Sequence, residues 1–422
     1  MTNWTLLLGF ILLSPTVELG GIVSMGTPFL VLGSYLRGLQ LYQRTYQMSF
    51  GVRGFCASAY LLCILVSLLW VPQLHVSGFR AAYHVVGYVL FLCMLQRQGD
   101  HTDNSRFQFW TVALTCAGLA TSLHFLFLMA SLTLQGRLGE AFADRITGGV
   151  MSLQWGASNT IASALLAPLF GAMLLPSKLA WLRTIAGAAM LLAILSTLSR
   201  NSSMCVLLAL ALYACLSGRA VNTICAIIGI GIVVTPAILL LDADVYHSVI
   251  ESRLDGGDAA TFNGRTDCWA AAWNGIERNW PCPVGFYGSL QTLGHSAHNL
   301  ILTDLYEIGV WGLIAHLLLF AALIAGLSVA RRRQSGHIIH EVNILLAGII
   351  AIFVNLQLED PQYTQPYIIC SWIFMGLCVA ATRLPISTTN IDRVSRHRIA
   401  QPHLSSSRSI RRVSNPIRRI QG

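Results

Sequence analysis

The chain reads as an all-α, polytopic integral membrane protein with about twelve transmembrane helices and one long extramembrane loop. Three observations predict that class. Hydrophobic residues make up 55% of the 422 positions and charged residues only 11%. The mean hydropathy is +0.62, which a soluble single-core domain of this length would not show. Apolar runs of spanning length, roughly 17–25 residues, recur along the whole chain.

In order, these runs lie near residues 4–17, 19–36, 54–72, 81–96, 107–129, 151–175, 181–198, 202–217, 221–241, 299–330, 342–358 and 366–382. Glu18 and Gly20-Gly21 interrupt the first two. No basic stretch precedes the first run, so it is expected to stay in the protein rather than be cleaved as a signal peptide. Orientation follows from the arginines, which favour the cytoplasmic side of short loops. Arg37, Arg44 and Arg53 share one loop, Arg97 and Arg106 another, then Lys178 with Arg183, Arg219, and the run Arg331-Arg332-Arg333. With twelve spans all of these fall on one side, together with both termini. The tail from Arg383 to Gly422 holds nine arginines against Asp392, which is +8 of the formal net charge of +9. It reads as a disordered cytoplasmic anchor near anionic lipid, and not as a nucleic-acid binder, because no aromatic residues are interleaved. The expected organisation is one transmembrane domain over 1–382, with a large loop at 242–297, and a basic tail over 383–422.

The opposite face carries the informative residues: 130–150, the turn around Arg200, and the loop 242–297. That loop holds seven acidic and three basic residues, which agrees with an outer location, and loops of such length are usually functional. Arg265, Trp269, Trp273 and Ile276 recur at helical spacing, and Pro281 must end the helix. This predicts a short amphipathic helix lying across the membrane surface with its tryptophans at the interface. Of eleven cysteines, nine lie in or beside spans. Cys268 and Cys282 lie on the outer loop, where their spacing permits a bridge without demanding one.

Some chemistries are excluded. Lys178 is the only lysine, and its Pro-Ser-Lys-Leu setting is no P-loop. Neither Cys-x-x-Cys nor His-Glu-x-x-His occurs. His295, His298 and Asp304 are close in sequence, but zinc needs three or four converging ligands, so no metal and no cofactor is expected. What remains is a histidine and several outer arginines. Arg200, in LSTLSRNSSM, sits on the side that the positive-inside tendency disfavours, which speaks against a merely snorkelling helix-end arginine. Arg145 lies in DRITGG, followed by Asn159, and Arg265 lies in NGRTDCW. A planar guanidinium forks onto two phosphate oxygens, so arginines suit a pyrophosphate and the charge that builds on it as it leaves. A neutral histidine, with a pKa of about 6.5, can take a proton from an attacking hydroxyl. His298-Asn299 stands where the polar loop meets an apolar helix, and Gly309 and Gly312 would let that helix pack closely on a neighbour.

These residues form an ordered set: Arg145-Ile146-Thr147-Gly148 with Asn159, then Ser199-Arg200, then Arg265 and Trp269 running to Pro281 and Gly285, then His298-Asn299 with Gly309 and Gly312. The set resembles the signature of the O-antigen ligase and polymerase superfamily and covers roughly residues 145–312. The resemblance implies a multi-pass protein of the bacterial inner membrane with its site on the periplasmic face. It implies an undecaprenyl-pyrophosphate-linked glycan donor, a sugar hydroxyl as acceptor, on a growing glycan or on lipid A-core, and transfer without a metal. It further implies His298 as base, with Arg200, Arg265 and Arg145 at the pyrophosphate and Asn299, Gly309, Gly312, Trp269 and His295 in support. This chain departs from the pattern in two places, since His295 precedes His298 and Cys282-Pro283 follows Pro281. It carries no large additional periplasmic domain of the kind found in protein-glycosylating relatives. Arg137 with Gly148, and Arg265 with Gly275, resemble spacings of the polymerases and tilt the reading that way. The competing reading is a polysaccharide-lipid transporter or flippase. Such proteins often show paired inverted halves and charges at the midplane, whereas here the unusual charges gather at the outer boundary and no repeat is visible. A sensor or purely structural membrane protein would leave the histidine and arginines unexplained.

The topology is testable directly. Single cysteines placed at Gly257 and at Ser406 in a cysteine-free background should be labelled from opposite sides of the membrane by an impermeant maleimide. Labelling of both from one side would sink the arrangement.

Overall fold

The computed structural model describes residues 47–48, 51–97, 103–137, 152–153, 156–218, 265–334 and 337–383. Among these are twelve α-helices. They are α1 (Val52–Ser67), α2 (Leu74–Leu95), α3 (Asp103–Leu134), α4 (Ser158–Met173), α5 (Ala180–Ser196) and α6 (Arg200–Ser217), then α7 (Arg265–Asn279), α8 (Gly288–Thr292), α9 (Leu300–Glu307), α10 (Gly309–Arg333), α11 (His337–Leu356) and α12 (Gln365–Ala381). Two antiparallel pairs of two-residue strands accompany them, β1 (Gln47–Met48) with β2 (Gln96–Arg97), and β3 (Ser152–Leu153) with β4 (Gly156–Ala157). Seven helices are long and apolar enough to cross a membrane, and α4 and α12 are shorter apolar helices. The chain is therefore a helical, multi-span membrane protein. The expected runs at 4–17, 19–36 and 221–241, and the basic tail beyond residue 383, lie outside the described residues.

A helix that is apolar all round belongs in the interior. In α4 every residue from Ile161 to Ala172 is buried, and α12 is buried almost throughout. These two form the centre. Helix α4 packs against α3 and α5, α12 against α2, α11 against α6, and α10 against α1. Helix α2 approaches α12 closely because Gly87 leaves room for the Trp372 indole, which is fully buried. Pro168 inside α4 is tolerated because the surrounding bundle, and not lipid, faces it.

The helices sort their ends into two groups. At one end Arg53 bonds Thr382, Arg383 bonds the Leu95 carbonyl at 2.6 Å, and Arg331 bonds the Leu216 carbonyl at 2.9 Å. At the other, Gln73 meets Gln291 at 2.9 Å, Phe286 N–H meets Ser67 Oγ at 3.0 Å, and Asn201 meets Asn355 at 2.9 Å. Loops expected on opposite sides of the membrane thus lie at opposite ends of the bundle.

Three expectations need correction. The run 151–175 is not helical from its start: β3 and β4 make a short hairpin, and α4 begins only at Ser158. Gly156 and the polar Ser152 are poor helix formers, which agrees with the later start. The run 299–330 is not one helix. It breaks after Glu307, and Gly309 adopts φ +76, which glycine alone takes up readily. The spanning helix is therefore α10, and α9 is a separate short helix at the site end. Nor do the two glycines seat α10 on a neighbouring helix: Gly309 makes the bend, and Gly312 leaves room for the Ile308 side chain of its own chain segment.

A buried polar cluster ties α4, α6 and α11 together. Asn201 Nδ2 donates to Asn355 Oδ1 at 2.9 Å and to its carbonyl at 3.1 Å, Ser202 Oγ donates to Asn355 Oδ1 at 3.3 Å, and Asn355 Nδ2 donates to Ser163 Oγ at 3.0 Å. Asn355→Leu should strand these partners and destabilise the protein by about 1–3 kcal/mol, read as a lower thermal midpoint in detergent. An unchanged midpoint would mean the cluster is not cooperative.

Candidate functional site

The site end is built around the turn between α11 and α12, residues 357–364, with the sequence QLEDPQYT. Helix α11 tightens as it ends, with Leu358 N–H and Glu359 N–H both on the Asn355 carbonyl. Pro361 then disfavours helical geometry in the residue before it, and the chain turns. This leaves Glu359 and Asp360 side by side, 4% and 8% exposed, at a helix C-terminus where negative charge is unfavourable. Buried carboxylates need donors, and three other elements provide them.

The first is α7. Arg265, at its first position, donates from Nη2 to Glu359 Oε2 at 2.9 Å. The helix rests on α9 through Ala272, Gly275 and Ile276, with Gly275 leaving room for the Tyr306 ring. The helix is where the sequence places it, with Arg265, Trp269, Trp273 and Ile276 spaced along it. Trp273 is 51% exposed, and Trp269 is half-buried one turn after Arg265. Cys268 and Cys282 are both free thiols.

The second element is the turn before α9. Asn299 caps that helix, its side chain accepting from Leu302 N–H at 3.1 Å. Its amide also donates to the Gln357 carbonyl at 3.0 Å, which ties the cap to the acidic turn. His298 precedes it at φ +49, in the left-handed region that side chains disfavour. Its Nδ1 lies 3.4 Å from Glu359 Oε1 and is itself buried, although the side chain as a whole is 37% exposed. The exposed part of the ring is therefore the side away from the carboxylate, which carries Nε2. At 3.4 Å the contact with Glu359 is an electrostatic pairing more than a strong hydrogen bond. Burial acts to lower the His298 pKa, but the hydrogen-bonding and charge of Glu359, with the charge of Asp360, outweigh it and raise the value. The sequence suggested the ordinary value of about 6.5. The carboxylate raises it.

Helix α9 is the third. Its Thr303 and Glu307 face inward. Thr303 Oγ1 donates to Asp360 Oδ2 at 2.6 Å. Glu307 accepts from Tyr287 N–H at 2.9 Å, Ser289 N–H at 3.0 Å, Ser289 Oγ at 2.5 Å and Tyr363 OH at 2.7 Å. Burial pushes the Glu307 carboxyl up to about 8 and the Asp360 carboxyl up to about 6, in each case against the donors around it. Asp304 pairs with His316 of α10 at 2.7 Å, with the Tyr60 ring stacked over that histidine at 4.0 Å.

The structure thus joins His298, Arg265 and Asn299 in one place. Arg200 is exposed at the first position of α6, and the next residue, Asn201, is bonded to Asn355, four residues before Glu359. His295 shares the turn with His298, but its Nδ1 meets the Ser296 carbonyl at 3.2 Å. Gly309 and Gly312 act on the chain path rather than on the site. Arg145 lies outside the described residues. Among the described residues no three His, Cys, Asp or Glu side chains are grouped as metal ligands would be. Sequence reasoning missed Glu359, the group that holds Arg265 and His298 together. Its signal was present, as Glu359-Asp360 is an adjacent acidic pair squeezed between two apolar runs. Searches against protein-family models and curated proteins give no match for this chain.

Glu359→Gln removes the charge that raises the His298 pKa and leaves the burial that lowers it. Titration of ring-labelled histidine, with the His298 signal identified by its loss in His298→Gln, should show the pKa falling. A pKa that stays or rises would mean Glu359 does not set the charge of this ring.

Proposed function

We propose that the chain is a membrane glycosyltransferase of the O-antigen ligase and polymerase type, working on the periplasmic face of the bacterial inner membrane. Its donor is an undecaprenyl-pyrophosphate-linked glycan, and its acceptor is a sugar hydroxyl of a glycan or of lipid A-core. One observation carries the reading: Glu359 holds both Arg265 and His298 at the same end of the bundle, the arginine at 2.9 Å and the imidazole at 3.4 Å. That arrangement supplies what transfer from a pyrophosphate needs.

In this reading the acceptor oxygen attacks the anomeric carbon while the bond from that carbon to the pyrophosphate oxygen breaks. The hydroxyl proton passes to His298 Nε2, and the lipid pyrophosphate departs as an anion. Glu359 orients the ring through Nδ1 and stabilises the imidazolium that forms, as a carboxylate behind a histidine base does. Arg265 has one nitrogen engaged with Glu359, which fixes the guanidinium and leaves its other donors for phosphate oxygens. Arg200 would complete the pyrophosphate site from α6, and Arg145 from the segment before α4. The arginine–glycine spacings favour a polymerase over a ligase.

The test is transfer by purified protein from a lipid-linked glycan to its acceptor, with a chelator present. His298→Ala should stop transfer yet still bind donor. Arg265→Lys should lose about a hundredfold in rate, since an ammonium cannot fork onto two oxygens. Wild-type transfer should fall as pH drops through the raised His298 pKa, because the protonated ring cannot act as base. Full activity of His298→Ala would end the proposal, and loss of activity to the chelator would end the metal-independent mechanism.

A further inference from the structure

Asp360 touches three separate pieces of the site end, and its role is not that of Glu359. Its Oδ2 accepts from Thr303 Oγ1 of α9 at 2.6 Å and from Ser296 Oγ at 3.0 Å, and Tyr363 OH lies 3.4 Å away. Ser296 Oγ in turn accepts the backbone N–H of His298 at 3.0 Å. A hydroxyl has a single proton to donate. With that proton on Asp360, the direction of the series is fixed: His298 N–H to Ser296 Oγ, then Ser296 O–H to Asp360 Oδ2.

This series ends on the residue with the least comfortable backbone in the turn. A φ of +49 at a residue with a β-carbon is strained and persists only where the surroundings fix it. Asn299, next along the chain, is in extended geometry as the α9 cap, so the left-handed residue is what aims the imidazole before the helix begins. Ser296 is 6% exposed and Asp360 8%, so solvent does not compete for these bonds. Tyr363 holds the far side, donating to Glu307 at 2.7 Å as well as approaching Asp360.

We propose that Asp360 is the positioning residue for His298: through Ser296 it holds the left-handed turn that keeps the imidazole against Glu359, without touching substrate itself. The inference rests on His298 being the base, so its test has one arm that does not need transfer. In hydrogen–deuterium exchange on the full-length protein in nanodiscs, the His298 amide should be protected in wild type. It should exchange faster in both Ser296→Ala and Asp360→Ala, with α9 amides unchanged in Ser296→Ala. In the transfer assay each variant should lose roughly tenfold to a hundredfold in kcat, as a displaced catalytic group does, with donor KM held. Because both substitutions cut one series, the double variant should lose no more than the worse single.

A His298 amide equally protected in both variants overturns the inference. So do losses that multiply in the double variant, and so does a raised KM with kcat unchanged. Wild-type protein that transfers no glycan would overturn the functional reading instead, and the exchange arm would still decide whether Asp360 holds the turn.

Discussion

Two adjacent carboxylates buried at the end of α11 are the constraint from which the rest of the site follows. Glu359 and Asp360 stand where the helix dipole is least favourable to them, and both are buried. Removing the partner of such a buried charge costs about 3–5 kcal/mol, so each carboxylate dictates what must lie around it. Glu359 requires a cation and takes Arg265. Asp360 requires hydroxyls and takes those of Ser296 and Thr303. The loop helix α7, the His298 turn, α9 and the α11–α12 turn are therefore joined by acceptors from one dipeptide, although they are far apart in sequence.

The two acids divide the work between them. Glu359 faces the arginine and the imidazole ring, and so sets their charge and direction. Asp360 faces the backbone and hydroxyls behind that ring. Glu307 repeats the theme one layer further in, with two backbone amides and two hydroxyls around its carboxylate. Its raised pKa shows that donors alone do not fully replace water around a buried carboxylate.

Most of the architecture was legible in the sequence because hydropathy, length and arginine position are local signals. The apolar runs, the α7 helix and its end before Pro281, and the separation of arginines from the polar loops could all be read that way. Helix α9 could not. Its Thr303, Asp304 and Glu307 lie within a run whose average is apolar, and the break at Gly309 depends on a backbone angle that the residue permits without requiring. The contact of α7 with α9 was hidden for a related reason: it is made at Gly275, where the absence of a side chain admits Tyr306. Glu359 lies 61 positions after His298 and beyond the stretch 145–312, so no spacing in the sequence ties it to the histidine.

The polar cluster of Ser163, Asn201, Ser202 and Asn355 bears on which parts of the site end can move relative to one another. A slide of α6 along α11 by a single residue, about 1.5 Å, would misalign several of these bonds at once. Helices α4, α6 and α11 thus act as a rigid bracket, and Arg200 rides on it. Helix α7 is held differently: Arg265 pairs with Glu359 at its start, and Gly275 takes the Tyr306 ring of α9 further along. Loss of the Arg265–Glu359 pair would therefore loosen the start of α7 while leaving the bracket, and Arg200 on it, in place.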